Sequence, residues 1–146
     1  VGRPHDQAKW IFTTATPSAP QEAFVDYAVR SHRSIAGERY VDEQHARAVA
    51  EQVFARGPRP NGTARQLAAI QADGDRSERL ATLRVPTLVV HGDADSMIDV
   101  SGGEDTAAAV PGARLVIVPE LGHSVPRELS AELAAMLVEH FAEASA

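Results

Sequence analysis

The sequence predicts an α/β domain in two parts, and three observations carry that prediction. Helical periodicity runs through the first half. Two short runs of branched apolar residues stand in the second half. A helical stretch lies between those runs at the spacing of a βαβ unit. At 146 residues the chain is long enough for a single domain with a core of its own.

In chain order, Ser18-Ala19-Pro20-Gln21-Glu22 is a helix start: serine as N-cap, proline in the first turn, an acid near the positive end of the dipole. The helix is expected to run to about Gly37 and to bury Phe24, Tyr27 and Ala28. Asp42 caps the next helix, whose Ala46, Val49, Ala50, Val53 and Phe54 follow the i, i+3, i+4, i+7, i+8 pattern of one buried face, and Gly57-Pro58 ends it. A third helix begins near Thr63, presents Leu67, Ala68 and Ile70, and breaks at Asp73-Gly74-Asp75. A short turn with Leu80 and Leu83 leads into Val85-Pro86.

The second half changes period. Thr87 to Val90 is an apolar run bounded by proline and glycine, and Arg114 to Val118 is another, so both are expected as strands buried on both faces. Gly103 to Val110 reads as a helix closed by Pro111-Gly112, which makes the strands parallel neighbours joined by a crossover. A last helix, Leu129 to Ala144, is expected to bury Leu133, Met136, Leu137 and Phe141 against the same sheet, in which Leu115 to Val118 would run at or near the centre. The division is therefore a helical segment over 1–82 and a βαβα segment over 83–146. Two fully apolar parallel strands need neighbours, and the sequence supplies too few. A partner that completes the sheet is predicted: the N-terminal part of the same fold, or a second copy.

Composition narrows the function. Twenty Asp plus Glu against 14 Lys plus Arg disfavours nucleic acid, whose binders neutralise phosphates with a basic patch. Every cation but Lys9 is arginine, scattered along what read as solvated helix faces. The absence of cysteine excludes disulfides, thiolate zinc sites and thiol nucleophiles. No apolar run approaches the roughly 20 residues of a membrane span. Val1-Gly2-Arg3-Pro4 carries neither an initiator methionine nor a signal-peptide pattern, and reads as the beginning of a piece of a longer chain.

In open parallel sheets, reacting groups gather in the loops after the strands. Here those loops are His91-Gly92-Asp93-Ala94-Asp95 and Glu120-Leu121-Gly122-His123. As neighbours, they would let a carboxylate meet the His123 imidazole across the rim. A carboxylate on Nδ1–H fixes the tautomer and leaves Nε2 to take a proton from a nucleophile. Asp93, Asp95 and Asp99 all compete for that part.

"VPTLVVHGDADSMIDV" followed by "VPGARLVIVPELGHSVP" resembles the C-terminal part of an α/β-hydrolase: its last two strands, the acid loop, the intervening helix and the histidine loop. The residues before resemble the helical cap that such enzymes insert ahead of those strands, so the resemblance implies an incomplete α/β-hydrolase fold. In detail the pattern is similar to aclacinomycin methylesterase-like and lipase-like esterases. Carried over by motif, Asp95 is the acid and His123 the base of a triad that hydrolyses a small-molecule ester without a cofactor. The family's G-x-S-x-G nucleophile elbow is not in this chain, and Ser96, Ser101 and Ser124 lack its glycine-flanked turn. The nucleophile and oxyanion hole are expected upstream, and the chain alone is expected to be inactive.

Blander readings stand beside this one. His91 has no assigned role, and His5, His32, His45 and His140 read as surface positions. Trp10, Phe24, Tyr27 and Phe54 suit either a substrate pocket or simple packing. Asp93, Asp95, Asp99, Ser101 and Glu104 fall at EF-hand loop positions, but Met97 and Ile98 stand where an oxygen ligand and the glycine are needed, which disfavours calcium. A non-catalytic module that binds through an open sheet edge is the alternative from another class.

Overall fold

The computed structural model describes residues 3–57, 59 and 61–144. The expected helix stop at Pro58 and the opening Val1-Gly2 lie outside the described residues. The helices of the first half are α1 (Asp6–Thr13), α2 (Gln21–Ile35), α3 (Glu43–Ala55), α4 (Gly62–Asp73) and α5 (Ser77–Leu80), with a 3-10 helix at Glu38–Tyr40. The second half holds β1 (Leu88–Gly92), α6 (Ser101–Ala109), β2 (Arg114–Val118), a 3-10 helix at Arg127–Leu129 and α7 (Ser130–Ala144). The strands are parallel, with Leu88 opposite Arg114 and Gly92 opposite Val118, and α6 packs on both as the crossover. This is the α/β arrangement that the periodicities predict.

α2 and α3 form an antiparallel-type helical pair around Phe24, Val25, Val29 and Ala50, with Ala28, Ala46, Val53 and Phe54 packed against that cluster. Val25 is 1 % exposed, and burying such a side chain contributes about 1.5–3 kcal/mol. Asp42 caps α3 as expected, its carboxylate accepting the His45 N–H at 2.9 Å. Ser18 does not cap α2: Pro20 takes the N-cap position in extended backbone, which leaves Ser18 too far back to reach the first helical N–H groups. α1 was not foreseen. Its Ala8 is wholly buried, and Trp10 stacks edge to face on Tyr27 at 5.4 Å.

A second cluster gathers Val118, Leu121 and Leu129, joined by Val90, Val116 and Leu133 and by Tyr40 from the first half. Several burial expectations fail around it. The strands are half-buried up to Gly92 and Val118, because each has one strand partner among the described residues and each therefore stands at an edge; Leu115 to Val118 is not central. No residue of α7 is buried: Leu133 and Met136 are half-covered, while Leu137 and Phe141 are 46 % and 62 % exposed. A two-stranded sheet is too narrow to cover a 15-residue helix, so only the Leu133 side reaches the core. α4 likewise buries nothing, and Ile70 is 65 % exposed. Boundaries shift by a residue or two: β1 starts at Leu88 and continues through His91 and Gly92, and α6 starts at Ser101.

Candidate active site

β1 ends at Gly92, whose Cα lies so close to the Leu121 carbonyl that any Cβ would overlap it. The chain then turns through Asp93 and Ala94 to Asp95. Asp95 Oδ1 accepts the backbone N–H groups of Met97 at 2.8 Å and Ile98 at 3.0 Å, a local turn of the kind short acidic side chains favour. With one oxygen fixed in this way, the other meets His123: Nδ1 to Oδ2 is 2.9 Å. Asp95 is 5 % exposed.

The histidine loop is held from the other side. After Val118 the backbone turns through Glu120, at φ 61°, where the Asp93 carboxylate accepts the Glu120 N–H at 2.6 Å. The end of α2 then takes over. Ala36 C=O accepts the Gly122 N–H at 3.1 Å, and Ile35 C=O accepts the His123 N–H at 2.7 Å. A Cβ on Gly122 would overlap the Ile35 carbonyl, and one on Gly37, itself at φ 80°, would overlap the Glu120 carbonyl. Arg39 pairs with Glu120 at 2.6 Å on the exposed side. One scattered arginine thus has a definite place, beside the loop that carries His123.

The three aspartates that the sequence left in competition part company. Asp95 bonds His123, Asp93 accepts from Glu120, and Asp99 accepts the Ser101 N–H at 3.1 Å while its other oxygen lies 2.9 Å from His5 Nε2. They do not converge, and among the described residues no three His, Asp or Glu groups could hold a metal ion. His5 is exposed but paired to Asp99; His32, His45 and His140 are half-buried rather than surface groups.

The electrostatics suit an acid–base pair. Burial is the largest single influence on Asp95 and opposes its ionisation. Hydrogen bonds from His123, Ile98 and Met97, with the attraction of His123, outweigh it and keep its pKa below the ordinary carboxylate value. The Asp95 hydrogen bond raises the pKa of His123, against partial burial. Hydrogen bonds from Ser101 and His5 hold Asp99 far below the carboxylate range. A carboxylate only accepts, so His123 carries its proton on Nδ1 and keeps a lone pair on Nε2. His91, largely buried, contacts the Gly92 carbonyl through Nδ1 at 3.0 Å and stands 4.0 Å from Asp95 Oδ2, too far for a hydrogen bond.

A cleft of about 430 Å³ opens beside the pair, bordered by Val90, Ile98, Val125, Leu133 and Leu137. Ser96 is 1 % exposed and donates its hydroxyl to the Ser34 carbonyl at 2.6 Å; Ser101 heads α6, and Ser124 borders a separate pocket. None of the three bonds His123. The Ser34–Ser96 tie, the α1 contacts and the Gly37–Gly122 approach were missed in the sequence. Their signals were weak: Ala8 and Ile11 at helical spacing after an acidic Asp6, and glycines at the end of a helix and before a histidine.

This chain is similar along nearly all its length to solved hydrolase structures. A meta-cleavage product hydrolase from Pseudomonas fluorescens IP01 superposes with a TM-score of 0.67 at 17 % identity, over 98 % of this chain and 53 % of that one. The esterase RhEst1 from Rhodococcus sp. ECU1013 gives 0.64 at 17 %, over 93 % and 49 %. An N-acyl homoserine lactone degrading enzyme gives 0.56 at 21 %, over 92 % and 51 %. The chain spans about half the length of these structures, and the likeness at such identities is one of fold. The family model described as serine aminopeptidase, S33, matches residues 4–130. The chain belongs to that serine aminopeptidase, S33, family of α/β-hydrolases.

Proposed function

We propose that this chain carries the acid and the base of a serine-hydrolase triad that cleaves carboxylic esters, with the nucleophile supplied by hydrolase sequence outside it. The observation that carries the reading is the 2.9 Å bond between His123 Nδ1 and the buried Asp95. In the reaction, a serine hydroxyl attacks the acyl carbon while Nε2 of His123 takes its proton. The tetrahedral intermediate then collapses, the C–O bond to the leaving group breaks, and the imidazolium returns the proton to the departing oxygen. Water repeats the sequence on the acyl-enzyme and releases the acid. Asp95 holds the tautomer and stabilises the imidazolium throughout.

Esters are favoured because an esterase and a lactone-degrading enzyme are among the structures this chain resembles. The likeness of its motifs to aclacinomycin methylesterase-like and lipase-like enzymes and the apolar border of the cleft point the same way. In this reading residues 1–82 are the cap segment and 83–146 the end of the catalytic core. The test is turnover of p-nitrophenyl esters by the full-length hydrolase beside this chain alone. The full-length protein is expected to turn over and the chain alone not to; turnover by the chain alone would place the nucleophile within it.

The exposed Leu137, Val138 and Phe141 on α7, beside a sheet of two strands, support a second reading, in which the segment associates through that face and edge with the rest of the fold or with another copy. Sedimentation of this chain distinguishes the two: a concentration-dependent dimer favours a second copy, a monomer the first partner.

A further inference from the structure

Beyond the cleft at His123, a pocket of about 410 Å³ lies between α2, α3 and the loop that follows His123. Its floor is apolar, with Phe24, Ala28, Ala46, Ala50 and Val53, while Tyr40, Asp42, Arg127 and Glu128 also border it. Ser124 and Val125, the two residues after His123, close one side, and Val125 also borders the His123 cleft, so the two spaces share a wall. A largely apolar pocket thus lies next to the His123 cleft, with Val125 between them.

His32 lines this pocket and is a polar group with a fixed hydrogen-bonding sense. The backbone N–H of Asp42 donates to His32 Nε2 at 3.0 Å. A backbone N–H can only donate, so Nε2 holds a lone pair. Burial lowers the pKa of His32 and so favours the neutral ring, against attraction from Asp42 and Glu43, with His45 acting in the same direction as burial. A neutral imidazole with Nε2 unprotonated carries its proton on Nδ1, and that N–H has no protein acceptor among the described residues. His45 borders the same pocket, but nothing fixes which of its ring nitrogens bears the proton.

We propose that His32 is a specificity-determining residue of this pocket, whose Nδ1–H donates to an oxygen acceptor carried on the otherwise apolar acyl limb of the substrate. The inference rests on the reading of the His123 cleft as the acyl-transfer site. Its physical basis is the cost of leaving a donor unpaired: a purely apolar limb buries that N–H without a partner, whereas a limb with a carbonyl or ether oxygen at the right place satisfies it. The substrate class is thus a medium-length ester with one internal acceptor.

The test uses the full-length hydrolase and a matched panel, p-nitrophenyl octanoate beside its 3-oxo, 5-oxo and 7-oxo analogues. The wild type is expected to prefer one oxo ester over octanoate by about tenfold or more in kcat/KM. His32→Phe should erase that preference, chiefly by raising octanoate turnover as the unpaired donor is removed, and His32→Gln, whose amide both donates and accepts, should keep part of it. A flat wild-type panel, or a preference that survives in His32→Phe, overturns the proposal. Ring ¹⁵N chemical shifts of the wild type test it without turnover: the Nδ1–H tautomer is expected at neutral pH, and an Nε2–H or cationic ring overturns it. If His123→Ala leaves every ester rate unchanged, the acyl-transfer reading fails, a result distinct from a flat panel.

Discussion

The rim that holds Asp95 and His123 and the face that holds α7 are built to different standards. At the rim, nearly every polar group has a partner and three glycines admit backbone contacts that no side chain would allow. Along α7, the 15-residue helix has no buried residue and Phe141 is 62 % exposed. The first region is specified by hydrogen bonds within the chain; the second leaves large apolar side chains exposed. A buried carboxylate–histidine pair can therefore form on a sheet that is too narrow to bury its own helix.

The sharpest way to break the comparison is at the base. In the full-length hydrolase, His123→Ala is expected to lower kcat on an ester by about 10⁴-fold with circular dichroism nearly unchanged, the unfolding midpoint dropping only by the loss of the Asp95 bond. A wild-type kcat would remove His123 from the chemistry and leave the rim a structural device.

Next comes the backbone that carries it. Gly122→Ala forces a methyl into the Ile35 carbonyl and should cost about 2–3 kcal/mol in chemical denaturation. Activity would fall with it, as His123 shifts from Asp95. A change of stability near zero would mean that the end of α2 does not clamp the loop.

The acid–base pair should also show itself in pH dependence. His123 acts as a base only when neutral, and its pKa is raised, so the acid limb of kcat/KM is expected above pH 6.5. Asp95→Asn should move that limb down. For stability the signs run in opposite senses. The lowered pKa of Asp95 gives a contribution present above pH 3.8 and lost as pH falls through its folded pKa. The raised pKa of His123 gives one present below pH 6.5 and lost as pH rises through its folded pKa. The midpoint difference between wild type and Asp95→Asn should therefore be widest between those values in a thermal melt series.

The smallest effect is expected on the other face. Leu137→Lys in this chain should change its stability by no more than about 0.5 kcal/mol, because the side chain is nearly half exposed. A loss of several kcal/mol would show that α7 is already covered.

The parts of the molecule that were legible in the sequence are those with local chemistry. Asp42 as a cap, Arg114 to Val118 as a strand and the polar loops at both strand ends follow from short-range rules. The meeting of Asp95 and His123 across 28 residues also followed, because parallel strands place their loops together. The choice of Asp95 over Asp93 and Asp99 rests on family resemblance; what separates them physically is the set of backbone donors at Met97, Ile98, Glu120 and Ser101 and the histidines, His123 and His5, that Asp95 and Asp99 meet. Burial of Leu137 and Phe141 was misjudged because an amphipathic pattern names a face and not what covers it. The clamp by Ile35 and Ala36 was invisible, since it depends on where a helix of the first half ends relative to a loop of the second.

The most direct test of the Asp95–His123 pair is a side-by-side kinetic comparison of Asp93→Asn, Asp95→Asn and Asp99→Asn in the full-length hydrolase on one p-nitrophenyl ester. Asp95→Asn is expected to lose about 10²–10⁴-fold in kcat, with the other two within about tenfold of wild type. Wild-type kcat in Asp95→Asn, with the loss appearing in Asp93→Asn or Asp99→Asn, would contradict the pairing.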